Sequence, residues 1–180
     1  EACKRMNRRL VIIGDGPDRG RLEKLADDRI EFLGRQSDAV VNYYAARCRA
    51  LLFPGEEDFG MAPLEANAAG RPVIAYRGGG AVETIEDGKT GIFFDQPDSR
   101  ALSEAIEKFE GLQWDQYTLR RHAEKFDRSV FTFRVLQFLG SVAPPSCAEE
   151  LLAGGRLLSQ SISHRVWPRL AVVGQSAARA

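Results

Sequence analysis

Short apolar segments alternate with segments of helical periodicity through most of this chain. The apolar segments predict β-strands at residues 10–13, 30–33, 50–53, 72–75 and 91–94. The segments between them predict helices at 21–26, 38–47, 62–69 and 81–86, and further helices follow at 100–109, 116–125 and 130–139. Repeated strand–helix units favour a parallel sheet with right-handed crossovers. The chain is therefore expected to be an α/β protein with a parallel sheet flanked by helices.

Two local features sharpen this expectation. Within the helix at 21–26, Leu22 and Leu25 are expected to face the core. Ser37 precedes the helix at 38–47 and is a candidate N-cap, since a serine side chain can accept a hydrogen bond from the first turn.

Length and composition suit one well-formed domain. The chain has 180 residues, of which 44% are hydrophobic, enough for one α/β core but not for two comparable lobes. The domain is assigned to residues 1–140 and a linker with a tail to 141–180, because Pro144 and Pro145 interrupt the helical pattern. The opening segment 1–7 resembles the last turns of a helix, which predicts a fragment truncated at its N-terminus.

Charge and cysteine content narrow the function classes. The ends of the chain are basic, so the middle is net acidic although the formal net charge is zero. An acidic domain argues against nucleic acid as a partner. Three scattered cysteines fit reduced thiols, and no run of eighteen apolar residues or signal-like start is present. These features predict a cytoplasmic protein without a transmembrane segment.

Two glutamates, Glu57 and Glu65, flank the start of the helix at 62–69. Glu57 lies in the loop that follows a predicted strand, where open α/β sheets bind ligands. Glu65 projects from the first turns of the helix. Backbone N–H groups at a helix start suit phosphate and carboxylates suit hydroxyls, so the pair fits a nucleotide sugar. The acids also suit the positive end of the helix dipole without any ligand, and the spacing alone leaves both interpretations open.

Motifs around this pair occur in one order along the chain. The turn reads Glu57-Asp58-Phe59-Gly60 and is followed by Met61 and Glu65. The other segments that belong to the pattern are 11–17, 30–35, 63–66, 69–75, 78–84 and 87–91. Together they resemble the donor-binding C-terminal lobe of the retaining GT-B glycosyltransferases, the family 4-like group also called glycosyl transferases group 1. The resemblance covers roughly residues 7–139, and Asp58 stands where the family usually has glycine.

The resemblance implies roles for individual residues. Glu65 would bind the ribose hydroxyls, and Glu57, the catalytic candidate, would meet hydroxyls of the transferred sugar. Backbone N–H groups around Phe59, Gly60 and Met61 would stabilise the departing diphosphate, and Asp58 belongs to the same donor-binding turn. The backbone of Arg35 would meet the base.

The implied activity is sugar transfer with retained anomeric configuration from a nucleotide diphosphate sugar to an acceptor hydroxyl, as in polysaccharide biosynthesis. Similarity around residues 56–60 favours a GDP-mannose-type donor. The acceptor, a saccharide or lipid-linked saccharide, would be held by an N-terminal lobe that this chain lacks, and the full-length protein would lie peripheral to the membrane. Family members also neutralise the diphosphate with an Arg and a Lys upstream of this chain. The 1–140 domain is thus expected to be a Rossmann-like nucleotide-sugar-binding domain, inactive in isolation.

The sequence matches a dinucleotide-binding site or a metal site less well. The glycines at 14, 16 and 20 approach the dinucleotide fingerprint, but the third is one residue late. A non-catalytic nucleotide- or dinucleotide-binding Rossmann module therefore stays as the alternative. No Asp-x-Asp occurs and the two histidines, His122 and His164, are far apart, so no metal is expected. His122 is interpreted as a surface or packing residue.

Overall fold

The computed structural model describes residues 1–144, 147 and 149–154. Parallel strands and helices alternate in it, as the sequence predicts. The strands are β1 (Leu10–Ile13), β2 (Ile30–Gly34), β3 (Leu51–Phe53), β4 (Val73–Tyr76) and β5 (Gly91–Phe94). The helices are α1 (Ala2–Arg5), α2 (Arg19–Glu23), α3 (Asp38–Ala45), α4 (Met61–Ala68), α5 (Ala81–Thr84), α6 (Ser99–Glu110), α7 (Gln116–Glu124) and α8 (Arg128–Val142).

The strands form two parallel sheets. Strands β1 and β2 pair with each other, and β4 lies between β3 and β5 in a three-stranded sheet. In the larger sheet Leu51 is level with Val73, and Val73 is level with Gly91. The carboxyl ends of β3 and β4 therefore lie side by side, and so do the loops that follow them.

Alternate residues of the three-stranded sheet pack against helices on its two faces. Val73 and Ala75 of β4 belong to a buried cluster with residues of α3, α4 and α5. Ile74, between them, belongs to a second cluster with residues of α1 and α6. This period of two, with helices on both faces, is the arrangement of a Rossmann-like layer structure. The predicted α/β fold class is confirmed.

Two details differ from the sequence-based expectations, one in and just after α2 and one at the start of α3. Leu22 and Leu25 were expected to face the core, but they are 38% and 49% exposed. Helix α2 has only five residues and buries none of them, and ion pairs such as Arg19 with Glu23 lie along its surface. Ser37 does occupy the N-cap position of α3, but its side chain makes no capping hydrogen bond.

Helix α8 crosses the domain boundary predicted at residue 140. Helix α8 continues to Val142, and residues 149–154 are helical. Pro145 of the predicted linker and His164 lie outside the described residues, so the division into 1–140 and 141–180 stays a prediction. Within the part of the chain that the structure describes, no helix is long and apolar enough to cross a membrane.

Candidate functional site

The loop between β3 and α4 carries most of the predicted site residues. It leaves the carboxyl end of β3 after Phe53 and ends at Gly60, the N-cap of α4. Gly60 has φ 63° and ψ 40°, a left-handed conformation that glycine adopts without strain. The first residues of an α-helix donate no intrahelical hydrogen bond, and Pro63 has no N–H. The backbone N–H groups of Gly60, Met61 and Ala62 therefore point out of the helix start.

A second loop, between β4 and α5, packs directly against the first. The N–H of Gly80 donates a hydrogen bond of 2.7 Å to the carbonyl oxygen of Glu57. A Cβ at Gly79 would lie 2.3 Å from that same oxygen, and a Cβ at Gly80 would lie 2.5 Å from the carbonyl carbon of Phe59. No side chain fits at these distances, so both glycines are needed for the approach of the two backbones. We call this contact between residues 57–60 and 78–80 the loop interlock.

Helix α5 supports the loop interlock from behind. The hydroxyl of Thr84 donates to the carbonyl oxygen of Gly80 at 3.0 Å. A Cβ at Gly60 would lie 3.0 Å from both that oxygen and the Thr84 hydroxyl. The start of α4 is thus seated against α5.

The structure brings together all the predicted site residues of the β3–α4 loop and of α4. Glu57 and Asp58 are exposed, and Phe59 is 76% exposed although it is aromatic. Met61 opens α4 and Glu65 follows four residues later, so the two side chains share one face of the helix. Glu65 is half-buried. Two exposed carboxylates, one half-buried carboxylate and the outward N–H groups thus belong to the same loop and helix start.

Arg35 belongs to a different sheet. It is exposed and follows β2, whose last residue, Gly34, has φ 65°. It therefore lies beyond the carboxyl end of the two-stranded sheet, while the glutamates lie beyond that of the three-stranded sheet.

Two basic side chains near the glycine-containing loops, Arg77 and Lys89, form ion pairs with acidic side chains. Arg77 donates to Asp95 at 2.6 Å and to Asp87 at 3.2 Å, and its guanidinium carbon lies 4.4 Å from the centre of the Phe93 ring. The hydrogen bond to Asp95 is the main reason that the pKa of Arg77 is raised. Lys89 lies 3.6 Å from Glu86. These contacts give both cations a structural role.

The sequence predicts that His122 is a surface or packing residue. It is only 5% exposed, so it is a buried packing residue. Its Nε2 lies 2.9 Å from the carbonyl oxygen of Thr84, and its Nδ1 lies 3.0 Å from Oε1 of Glu86. A lone histidine 38 residues away in sequence from Thr84 carries no motif that would indicate this contact.

Among the described residues, no group of three or more His, Cys, Asp or Glu side chains is placed to hold a metal ion. Glu57, Asp58 and Glu65, the carboxylates closest to the helix start in sequence, form no such group. The expectation that no metal is required stays a prediction.

Comparison with known proteins gives one family and several relatives. The family model described as "Glycosyl transferases group 1" matches residues 1–128. N-acetyl-alpha-D-glucosaminyl L-malate synthase of Bacillus anthracis is 34% identical over 129 residues, which cover 68% of this chain and 32% of that protein. A GDP-mannose-dependent alpha-(1-6)-phosphatidylinositol monomannoside mannosyltransferase of Mycolicibacterium smegmatis is 36% identical over 110 residues, 54% of this chain and 29% of that protein.

The fold is also found in solved structures. The crystal structure of Anabaena HepE in complex with UDP-glucose matches 73% of this chain and 40% of that one, with a TM-score of 0.60 at 23% identity. The present chain spans about a third of the length of the two curated relatives named above, 32% and 29% respectively.

Proposed function

The chain belongs to the glycosyl transferases group 1, and on that basis we propose that it is the donor-binding lobe of an enzyme that transfers a sugar from a nucleotide diphosphate sugar to an acceptor hydroxyl with retention. The loop interlock is the observation that carries this proposal. It fixes the backbone of Glu57 beside the start of α4, so that carboxylates and outward N–H groups surround one position.

Each group in this arrangement matches one part of such a donor. The N–H groups of Gly60 and Met61 suit the diphosphate, because a helix start carries partial positive charge. Glu65, one turn further along α4, accepts hydrogen bonds from the ribose hydroxyls. Glu57, in the exposed loop, accepts them from hydroxyls of the sugar, with Asp58 and Phe59 in the same turn.

The same N–H groups serve the chemical step. As the bond to the sugar breaks, negative charge grows on the leaving diphosphate, and donors that are already oriented stabilise that charge without rearranging. The loop interlock provides this preorganisation. Arg35 is assigned to the base through its backbone, from the neighbouring sheet.

We assign the donor to the GDP-mannose type. The support is the identity of 36% to a relative whose name states GDP-mannose dependence, together with the residues around Glu57. The acceptor is a saccharide or lipid-linked saccharide held by a second lobe. Because the relatives are about three times longer than the matched part, we propose that the isolated 180 residues bind donor weakly and do not transfer sugar.

Calorimetric titration of the chain with GDP-mannose, UDP-glucose, GDP and NAD tests this proposal. GDP-mannose should bind, and Glu65→Ala should weaken binding by about 1.5–3 kcal/mol, because a charged acceptor of two hydroxyls is lost. Glu124→Ala, which removes an exposed carboxylate on α7, serves as the control. Affinity should be the same with and without a metal chelator.

Two results would contradict the proposal. Binding of NAD alone, unaffected by Glu65→Ala, would favour the non-catalytic dinucleotide-binding module. Measurable sugar transfer by the 180-residue chain would disprove its inactivity in isolation.

A further inference from the structure

We propose that His122 is a positioning residue of the donor site, which holds the loop interlock in place through Thr84 and Glu86. The inference rests on the proposed function, since it concerns the geometry of the donor-binding loops. His122 belongs to α7 and reaches no ligand itself. Its effect passes along a chain of hydrogen bonds.

The first link joins the imidazole to the end of α5. This helix is a single turn of four residues, and the backbone is extended at Ile85, with φ −116° and ψ 128°. The carbonyl of Thr84 therefore has no next helical turn to bond with, and Nε2 of His122 lies 2.9 Å from its oxygen. An isolated turn this short is not stable by itself, so an anchor from another helix matters.

The second link joins α5 to the candidate site. Both the hydroxyl and the backbone N–H of Thr84 donate to the carbonyl oxygen of Gly80, at 3.0 and 3.1 Å. The N–H of Gly80 in turn donates to the carbonyl oxygen of Glu57 at 2.7 Å. Two residues, Thr84 and Gly80, thus connect the buried imidazole of His122 to the backbone of Glu57 through three successive hydrogen-bonded links.

The neighbours of the ring fix the role of one ring nitrogen. A carbonyl oxygen can only accept a hydrogen bond, so Nε2 donates to the carbonyl of Thr84. Nδ1 lies 3.0 Å from Oε1 of Glu86, and a hydrogen bond from Lys125 lowers the pKa of that carboxyl. The imidazole therefore contacts both the last residue of α5 and the carboxylate two residues further along the chain.

If His122 contributed only to packing, its substitution would change the stability of the domain and not the donor site. Its ring packs against Phe126, with ring centres 5.3 Å apart, and such contacts contribute to stability alone. Leu119 provides the matched control, because it lies on the same helix and is fully buried. Leu119→Ala should destabilise the domain without changing any hydrogen bond of the chain from His122 to Glu57.

The test is the affinity for GDP-mannose of the wild type, His122→Gln and Leu119→Ala, measured by calorimetry at neutral pH. His122→Gln should bind about threefold to tenfold more weakly than the wild type, because the anchor of α5 is lost. Leu119→Ala should retain the affinity of the wild type.

Hydrogen exchange of the Gly80 amide provides a readout that needs no ligand. His122→Gln should accelerate this exchange relative to amides of β4, and Leu119→Ala should not. If the wild type binds no nucleotide, the proposed function fails while the exchange experiment still tests the role of His122. Equal affinity of the wild type and His122→Gln, or unchanged Gly80 exchange, would overturn the inference.

Discussion

The backbone N–H of Gly80 donates a hydrogen bond of 2.7 Å to the carbonyl oxygen of Glu57, and this bond joins two consecutive strand–helix units. The backbone of Glu57 is fixed by it while the side chain stays exposed. A loop held in this way loses less conformational freedom when a ligand binds, which favours affinity.

Gly80→Ala should disrupt both loops. The added Cβ would lie 2.5 Å from the carbonyl carbon of Phe59 and 2.6 Å from the carbonyl oxygen of Asp58. The backbone of Gly80 is in the right-handed helical region, so the cost comes from the clash and not from backbone strain. We expect a loss of about 1–3 kcal/mol in the free energy of unfolding and loss of donor binding, measured by urea denaturation and calorimetry.

Gly111→Ala is the matched control for this change. Its Cβ would lie 3.6 Å from the carbonyl oxygen of Lys108, which is an ordinary contact. Its stability and affinity should be those of the wild type. Normal donor binding by Gly80→Ala would show that the loop interlock does not shape the site.

Glu57→Gln should separate binding of the sugar from binding of the nucleotide. The substitution keeps the size of the side chain but removes the charge that strengthens hydrogen bonds from sugar hydroxyls. The Kd for GDP-mannose should rise about tenfold while the Kd for GDP stays unchanged. Glu56→Gln, in the same exposed loop, should change neither value. An equal loss for both ligands would place Glu57 at the nucleotide.

The predicted strands and most predicted helices match the structure because their signal is local. The buried residues of β4 and β5 read as short apolar runs, and every residue of β5 is buried. The prediction that Leu22 and Leu25 face the core is wrong for the same reason, since local periodicity does not reveal that α2 buries none of its five residues.

The site was predictable only where its residues are neighbours in sequence. Glu57 and Glu65 lie in one loop–helix segment, so their spacing indicated the helix start. The loop interlock joins backbones more than twenty positions apart, and the glycine run at 78–80 did not reveal its partner. The contact of His122 with Thr84 depends on how α7 packs, which no motif encodes.

At acidic pH, the segment that precedes β1 should be held less firmly against α6. Glu110 accepts hydrogen bonds from Arg8 at 2.7 and 2.6 Å and from Arg49 at 3.1 Å, and the bonds from Arg8 are the main cause of its lowered pKa. A carboxyl whose pKa is lower in the folded state stabilises the fold above its unfolded-state value. This contribution is lost as the pH falls through the folded value, below about pH 5.

Glu110→Gln should therefore remove part of the acid-induced loss of stability. The pair is partly exposed, so we expect a cost of about 0.5–1 kcal/mol near neutral pH and a smaller difference from wild type in acid. The measurement is urea unfolding across this pH range. Glu104→Gln breaks the more exposed pair with Arg100 on the same helix and should have little effect. Identical pH profiles for wild type and Glu110→Gln would contradict the assignment.

Asn67 should be the most sensitive polar residue of α4. Its side chain is fully buried, and its amide donates to the carbonyl oxygens of Arg71 and Thr90, both at 3.0 Å. These bonds tie the end of α4 to the start of β4 and to the residue before β5. Asn67→Ala should lower the free energy of unfolding by about 1–3 kcal/mol, because the part-buried carbonyl of Arg71 and the buried carbonyl of Thr90 each lose this donor. Asn42→Ala, at a half-buried position of α3, should cost less in the same urea titration. Equal costs for the two substitutions would show that the hydrogen bonds of Asn67 add nothing beyond the burial of its side chain.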